Sequence, residues 1–148
     1  MKKIKTALTA IVLLFAISAF TMDPGKVSPI VKAAFENDFP NVVKVNWETN
    51  GDFYFASFLF NNEKSEAAYN EEGELVATSR NMLTAQVPLN ILLAIAREYK
   101  GYNVDKTAVE ITYQGFLRYY VTVENSTHIY KLKCLSDGEL EVDRKTKK

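Results

Sequence analysis

The sequence contains very few of the residues that catalysis and metal binding use most often. Among 148 residues there is one histidine, His128, and one cysteine, Cys134, so the pair cannot supply a zinc site or a disulfide within the chain. A serine or cysteine nucleophile would need His128 as its base, but this residue lies on a predicted strand with no acidic partner at a fixed spacing. Cys134 shares a predicted strand face with Tyr130 and Leu132, which favours a buried, unreactive thiol. We therefore predict that the protein is not an enzyme and has no catalytic residues.

Phosphate loops, calcium loops and an excess of positive charge are also missing. No glycine-rich phosphate-binding loop is present. The acidic turns Glu71 to Glu74 and Asp137 to Glu139 lack the spaced Asp and Asn ligands of a calcium loop, which favours solvated hairpin turns. The 18 basic and 18 acidic residues balance, whereas a dedicated nucleic-acid-binding domain usually carries a basic excess. We predict no cofactor, no metal and no nucleic-acid partner.

Residues 1–21 are predicted to be a secretory signal peptide. A positive segment precedes an uncharged apolar run, Ala7 to Phe20, which holds the small residues that signal peptidase requires. Cleavage is expected after Ala19 or Thr21. The alternative is a membrane anchor, but the run is shorter than the roughly 20 apolar residues that span a bilayer. The lysines of the positive segment are Lys2, Lys3 and Lys5.

Removal of that segment would leave residues 22–148, with a formal charge of 15 − 18 = −3. A chain of this length can bury one hydrophobic core without disulfides. Nothing after residue 21 is apolar enough to span a membrane, and no cysteine directly follows the apolar run to carry a lipid. We expect a soluble periplasmic or secreted protein that has no membrane anchor once the signal is cleaved.

The first half of the remaining chain is predicted to be a helix followed by four antiparallel strands. Ser28 and Pro29 are typical of a helix start, and apolar residues recur at every fourth position after them. Asn50-Gly51 is the strongest hairpin signal and predicts a type I′ turn. The strands are predicted over residues 43–48, 53–60, 65–70 and 74–79 from their alternating pattern and flanking turn residues.

The second half repeats this order after a connector at residues 80–86. Pro88 opens a helix, and Gly101 lies where a C-terminal cap is expected. A basic tail at residues 145–148 is expected to be frayed. The strands are predicted over residues 107–112, 117–124, 128–135 and from 139 onward.

Matching positions suggest that the two halves are repeats. Gly73 corresponds to Gly138, and each is followed by the same Glu-Leu pair. The helix positions Val31, Phe35, Phe39 and Val42 correspond, at one constant spacing, to Ile91, Ile95, Tyr99 and Tyr102. We predict an α+β fold built from a tandem αββββ repeat, with an eight-stranded antiparallel sheet and helices on one face. Residues 22–80 and 81–148 would form the two halves of one domain.

The spaced apolar, proline and glycine positions resemble the PepSY-like family of exported bacterial proteins, which is grouped with β-lactamase-inhibitor-like folds. The resemblance covers nearly all of the chain after residue 21. It implies helices on one side of the sheet and a Gram-negative, Bacteroidetes-type setting. It carries over no catalytic residues, and it implies inhibition of a β-lactamase or peptidase only at the level of the fold. The positions are Phe35, Phe39-Pro40, Val45, Trp47, Tyr69 and Gly73, then Pro88, Ile91, Ile95, Tyr99, Gly101-Tyr102 and Val104.

Aromatic residues supply the functional hypothesis. Phe53 to Phe60 places large apolar groups on both faces of one predicted strand, and Leu117 to Val123 is similar. Helices can cover one face only. Either the other face exposes aromatic side chains, or the two halves pack these rings against each other or against the connector. Exposed aromatic residues on a rigid sheet favour a recognition surface.

We predict a non-enzymatic binding or inhibitor-like module whose exposed sheet face recognises an envelope protein, a peptidase or a peptide. The alternative is a carrier or sensor of a small hydrophobic ligand, with a pocket between the two halves. The predicted partner-binding residues are Tyr54, Phe58, Tyr120, Lys131 and Lys133.

Overall fold

The computed structural model describes residues 26–148, so the predicted signal peptide lies outside the described residues. Two α-helices and eight strands make up this part of the chain, and the strands form one antiparallel sheet in the order β1 to β8. The predicted α+β fold class is confirmed. The helices are α1 (Pro29–Asp38) and α2 (Leu89–Glu98), with a 3₁₀ helix at Thr84–Gln86, and the strands are β1 (Val45–Asn50), β2 (Phe53–Phe60), β3 (Glu63–Asn70), β4 (Leu75–Leu83), β5 (Asn103–Tyr113), β6 (Phe116–Glu124), β7 (His128–Leu135) and β8 (Leu140–Lys147).

The chain divides into two compact units, one that ends at Ser79 and one that begins at Arg80. In the first unit, the core lies between α1 and one face of strands β1 to β3. Phe35 is the central residue of the buried face of α1. Trp47 pairs with Ala56, which pairs with Ala67 on the next strand. The two small alanines leave room for the indole ring, whose centroid lies 5.3 Å from that of Phe35.

In the second unit, the core lies between α2 and one face of strands β5 to β7. Ile91 and Ile95 are buried on α2. Ala108 pairs with Val121, which pairs with Leu132, and all three contribute to the same aliphatic core. Neither α1 nor α2, the α-helices among residues 26–148, has the length and apolar character that a membrane crossing needs.

The first hairpin turn differs from its prediction. Asn50 pairs with Phe53, so the loop is Gly51-Asp52 rather than Asn50-Gly51. Gly51 has φ +59°, but Asp52 is not among the residues with positive φ. A type I′ turn needs positive φ at both central residues, whereas a type II′ turn needs it only at the first. The glycine therefore occupies the first central position, and the predicted type I′ turn is wrong.

The predicted connector and the predicted frayed tail are also corrected. Strand β4 continues to Leu83, and the backbone N–H of Leu83 donates to the side-chain oxygen of Gln86 at 3.0 Å, which starts the 3₁₀ helix. Strand β8 extends to Lys147. The N–H of Lys148 donates to the carbonyl of Thr127 at 3.0 Å, and its ammonium lies 3.1 Å from Glu124. These contacts hold the C-terminal residues in place.

Candidate functional site

Tyr54 and Phe58 lie on the helix side of the first unit. Strand residues alternate between faces, and Ala56 is the partner of Trp47, so the residues two positions before and after Ala56 share the helix-covered face. Phe58 is 6% exposed within the core, and Tyr54 packs against that core. The expectation that these two side chains lie on an exposed sheet face is wrong, because α1 covers that face.

The opposite face of β2 is less aromatic and less exposed than expected. Phe55 is 7% exposed, whereas Leu59 near the strand end is 63% exposed. Ser57 donates a hydrogen bond to the Glu66 carboxylate at 3.3 Å. Burial raises the pKa of Glu66 and the nearby Glu48 charge adds to this effect, while the bond from Ser57 opposes it. On this face of the first unit, the Glu66 carboxylate is held by a hydrogen bond, and there is no cluster of exposed rings among the described residues of β2.

Tyr120, Lys131 and Lys133 lie together on the second unit. The side chains of β6 and β7 that point away from α2 are those at even positions of β6 and odd positions of β7, and we define the open face as the central five of them: Arg118, Tyr120, Thr122, Lys131 and Lys133. Tyr120 is paired with Lys133, and the Lys131 ammonium lies 5.2 Å from the centroid of the Tyr120 ring. The structure therefore brings together three of the five residues predicted to bind a partner.

The Tyr120 side chain lies within this face and does not protrude from it, since it is only 4% exposed. Burial raises the pKa of Tyr120 to about 12; the carboxylates of Asp143 and Glu141 contribute, and Arg118 acts in the opposite direction. The phenol therefore stays neutral at physiological pH. A cation placed over a neutral aromatic ring gains about 0.5–1 kcal/mol at an exposed site, so the ring favours the position of the Lys131 ammonium above it.

The two lysines of the open face differ in how their charge is balanced. Lys133 forms an ion pair with Glu141 on β8. Lys131 forms no ion pair with any residue in the range 26–148, and neither does Arg118. Lys131 is therefore a positioned cation that remains available to an external carboxylate.

Cys134 and His128 have the surroundings that the sequence predicts. Cys134 is fully buried in the core of the second unit, and burial raises the pKa of its thiol to about 11. The predicted buried thiol is confirmed. The Nδ1 atom of His128 lies 2.9 Å from the hydroxyl of Thr127. In the described part of the chain, no group of three or more histidine, cysteine or acidic side chains is arranged to hold a metal ion.

Sequence reasoning missed an apolar cavity at the surface of the second unit, which is largely open to solvent. Its volume is about 460 Å³, and it lies between the C-terminal part of α2 and the beginning of β5. The predicted pocket between the two halves stays a prediction. The cavity is lined by Thr84, Ala85, Leu92, Ile95, Ala96, Tyr99, Lys100, Gly101, Tyr102 and Val104.

Solved structures from Bacteroides species share this fold. A protein from Bacteroides eggerthii, described as a putative periplasmic protein, is 19% identical with a TM-score of 0.71 over 83% of this chain and 90% of its own. A BLIP-like protein from Bacteroides fragilis is 21% identical with a TM-score of 0.67 over 81% of this chain and 85% of its own. A DUF2874 family protein from Bacteroides uniformis is 21% identical with a TM-score of 0.71 over 82% and 89%. No protein-family model and no curated protein matches the sequence.

These similarities show the fold. The chain has a BLIP-like fold, as the sequence resemblance implied. Identities of 18–21% across the solved structures do not transfer a partner or an activity, because one fold serves many unrelated functions.

Proposed function

We propose that the protein is a non-enzymatic, exported binding module whose open face recognises an acidic segment of an envelope protein or peptide. The observation that carries the proposal is Lys131, a cation held over the Tyr120 ring at 5.2 Å with no carboxylate partner among the described residues. A charge that is already positioned loses little conformational freedom when it binds. Tyr54 and Phe58 are not part of this site, because they lie in the helix-side core.

Export and family are part of the same proposal. The apolar N-terminal run and the periplasmic description of a structural relative support an envelope location. The PepSY-like assignment rests on the spaced proline, glycine and aromatic positions of the sequence. An inhibitor-like role is consistent with the BLIP-like fold, and none of the descriptions of the structural relatives names an enzyme.

The test compares two double variants that remove the same charge. Lys131→Ala with Lys133→Ala alters the open face, while Lys32→Ala with Lys64→Ala removes two cations from the first unit. Immobilised wild-type and variant proteins are exposed to the same envelope extract, and each captured protein is then purified and its Kd measured. We expect the open-face variant to weaken binding about tenfold, or 1.4 kcal/mol, and the control to bind like the wild type.

Two results would count against the proposal. Equal losses in both double variants would mean that only net charge matters. A captured partner whose Kd is unchanged by the open-face variant would bind elsewhere. Circular dichroism melting of both variants establishes that they are folded, as expected for substitutions at lysines outside the hydrophobic cores.

A further inference from the structure

The cavity of the second unit has the size and lining of a small-molecule site. Ligand pockets typically measure about 300–1,000 Å³ and combine apolar walls with a few polar groups, and this cavity measures about 460 Å³. Ile95 forms a buried part of its wall, and Leu92 and Val104 add further apolar surface. Such walls suit an alkyl chain or a flat ring.

Hydrogen bonds connect the 3₁₀ helix and the start of β5 at one end of the cavity. The pairing of β5 with β6 is irregular between Val104 and Ala108. Within this irregular segment, the carboxylate of Asp105 accepts hydrogen bonds from the N–H and the hydroxyl of Thr107, both at 3.1 Å. The carbonyl of Asp105 accepts a bond from the Thr84 hydroxyl at 2.7 Å, which joins the 3₁₀ helix to the start of β5. These bonds restrain the two elements at this end of the cavity.

The aromatic residues that follow the two helices pack differently in the two units. Phe39, which corresponds to Tyr99 in the repeat, packs its ring 5.4 Å from Phe35, 4.7 Å from Phe58 and 5.8 Å from Phe60. Tyr99 instead contacts two other tyrosines, Tyr102 and Tyr130. Phe39 thus packs with phenylalanine rings of the first core, whereas Tyr99 packs with two tyrosines and also lines the cavity.

The polar groups that line the cavity favour a negatively charged ligand. Lys100 is exposed and forms no ion pair with a described residue. Neither Tyr99 nor Tyr102 donates its hydroxyl to another described residue, so both phenols are free to donate to a ligand. The carboxylate of Glu98 pairs with Arg97 at 3.4 Å, and after burial its charge also raises the pKa of Tyr99. One cation and two hydroxyl donors are the chemistry that recognises a carboxylate.

We propose that this cavity binds a small amphipathic carboxylic acid. Its apolar part lies against Leu92, Ile95 and Val104, and its carboxylate faces Lys100. This site is separate from the open face, and neither proposal depends on the other.

The test uses decanoate, decanol and decylamine as probes, each below the concentration at which it forms micelles. Isothermal titration calorimetry with the wild-type protein should give the tightest binding for decanoate and the weakest for decylamine. Ala96 is an exposed cavity residue on α2, so Ala96→Trp should block the cavity and weaken decanoate binding at least tenfold without lowering the melting temperature.

Lys100→Gln separates the charge from the apolar wall. It should weaken decanoate about two- to fivefold, the effect of an exposed ion pair, and leave decanol binding unchanged. Lys64→Gln in the first unit is the matched control and should change neither. The proposal is overturned if the wild type binds none of the probes, if decylamine binds as tightly as decanoate, or if Ala96→Trp does not alter decanoate binding.

Discussion

The two units fill the same row of their helix-side cores in opposite ways. In the first unit the row is Trp47, Ala56 and Ala67, one very large side chain beside two very small ones. In the second it is Ala108, Val121 and Leu132, with the volume spread over two aliphatic side chains. Close packing constrains the total volume of a row more than the identity of each residue. The first unit therefore depends on one residue much more than the second does.

A second pair of corresponding positions also carries a large side chain in the first unit and a small one in the second. Tyr69 and Cys134 each lie four residues before the glycine of the following turn, and both are fully buried. The hydroxyl of Tyr69 donates to the carboxylate of Asp38 at 2.9 Å, which ties β3 to the end of α1. Cys134 is too short to make such a contact. In the second unit Tyr99 and Tyr102 lie just after the end of α2 and line the cavity.

The largest effect is expected at Trp47. Trp47→Ala should lower the free energy of unfolding by about 3–5 kcal/mol, because the flanking alanines cannot fill the space that the indole leaves. Leu132→Ala, in the corresponding row of the second unit, should cost about 2–4 kcal/mol. Urea denaturation followed by circular dichroism measures both. An equal or smaller loss at Trp47 would contradict the concentrated dependence inferred for the first unit.

The next largest loss of stability is expected at the glycines of the two corresponding turns. Gly73 has φ +79°, and a β-carbon there would lie 2.9 Å from the Ile30 Cγ2 atom and 3.2 Å from its carbonyl oxygen. Gly138 has φ +94°, but a β-carbon there would lie 3.4 Å from the Asn90 side chain, an ordinary contact. A left-handed backbone costs an L-residue about 1–2 kcal/mol.

Gly73→Ala should therefore cost about 2–3 kcal/mol and Gly138→Ala about 1–2 kcal/mol, since only the first adds a steric clash to the backbone strain. The measurement is again urea denaturation, with each variant compared with the wild type. If the two losses are equal, the packing of α1 against its turn is no tighter than that of α2.

Tyr69→Phe tests the polar tie that the second unit lacks. It should cost about 1 kcal/mol, the usual value of one hydrogen bond, because Asp38 is exposed and water can replace the lost donor. Tyr102→Phe is the control, since its hydroxyl has no partner among residues 26–148. This control should leave the free energy of unfolding within about 0.5 kcal/mol of the wild-type value. A loss at Tyr102 equal to that at Tyr69 would show that the measured cost is not due to the bond to Asp38.

The sequence predicted the element types well because the periodicity of its apolar residues is strong in both units. It also held the information needed to place Tyr54. A two-residue loop here is either Asn50-Gly51 or Gly51-Asp52. Both loops pair Trp47 with an even-numbered residue of β2. Tyr54 and Phe58 must then share the helix-side face of Trp47. The prediction for Tyr54 and Phe58 was wrong because it assigned the aromatic residues of β2 to the two faces without this count of paired residues.

The cavity could not be predicted in the same way. It depends on the irregular pairing between Val104 and Ala108 and on the bond from Thr84 to Asp105. The participants in that bond are 21 residues apart, and neither has a local pattern that identifies it. The placement of Lys131 over Tyr120 is similar, because it follows from the register of β6 against β7 and not from either strand alone.

The last comparison concerns alkaline pH, where the two units differ at Cys134. Burial raises the pKa of this thiol from 9.0 to about 11, so between these values the unfolded chain loses a proton that the folded chain keeps. The stability that the neutral thiol provides is therefore fully present below pH 9 and is lost as the pH rises towards 11. The free energy of unfolding, measured by urea denaturation at pH 8, 9.5 and 10.5, should fall more steeply for the wild type than for Cys134→Ala, although Tyr120 and the other buried tyrosines add a decline common to both. Equal slopes would mean that burial does not raise the pKa of the Cys134 thiol in the folded protein.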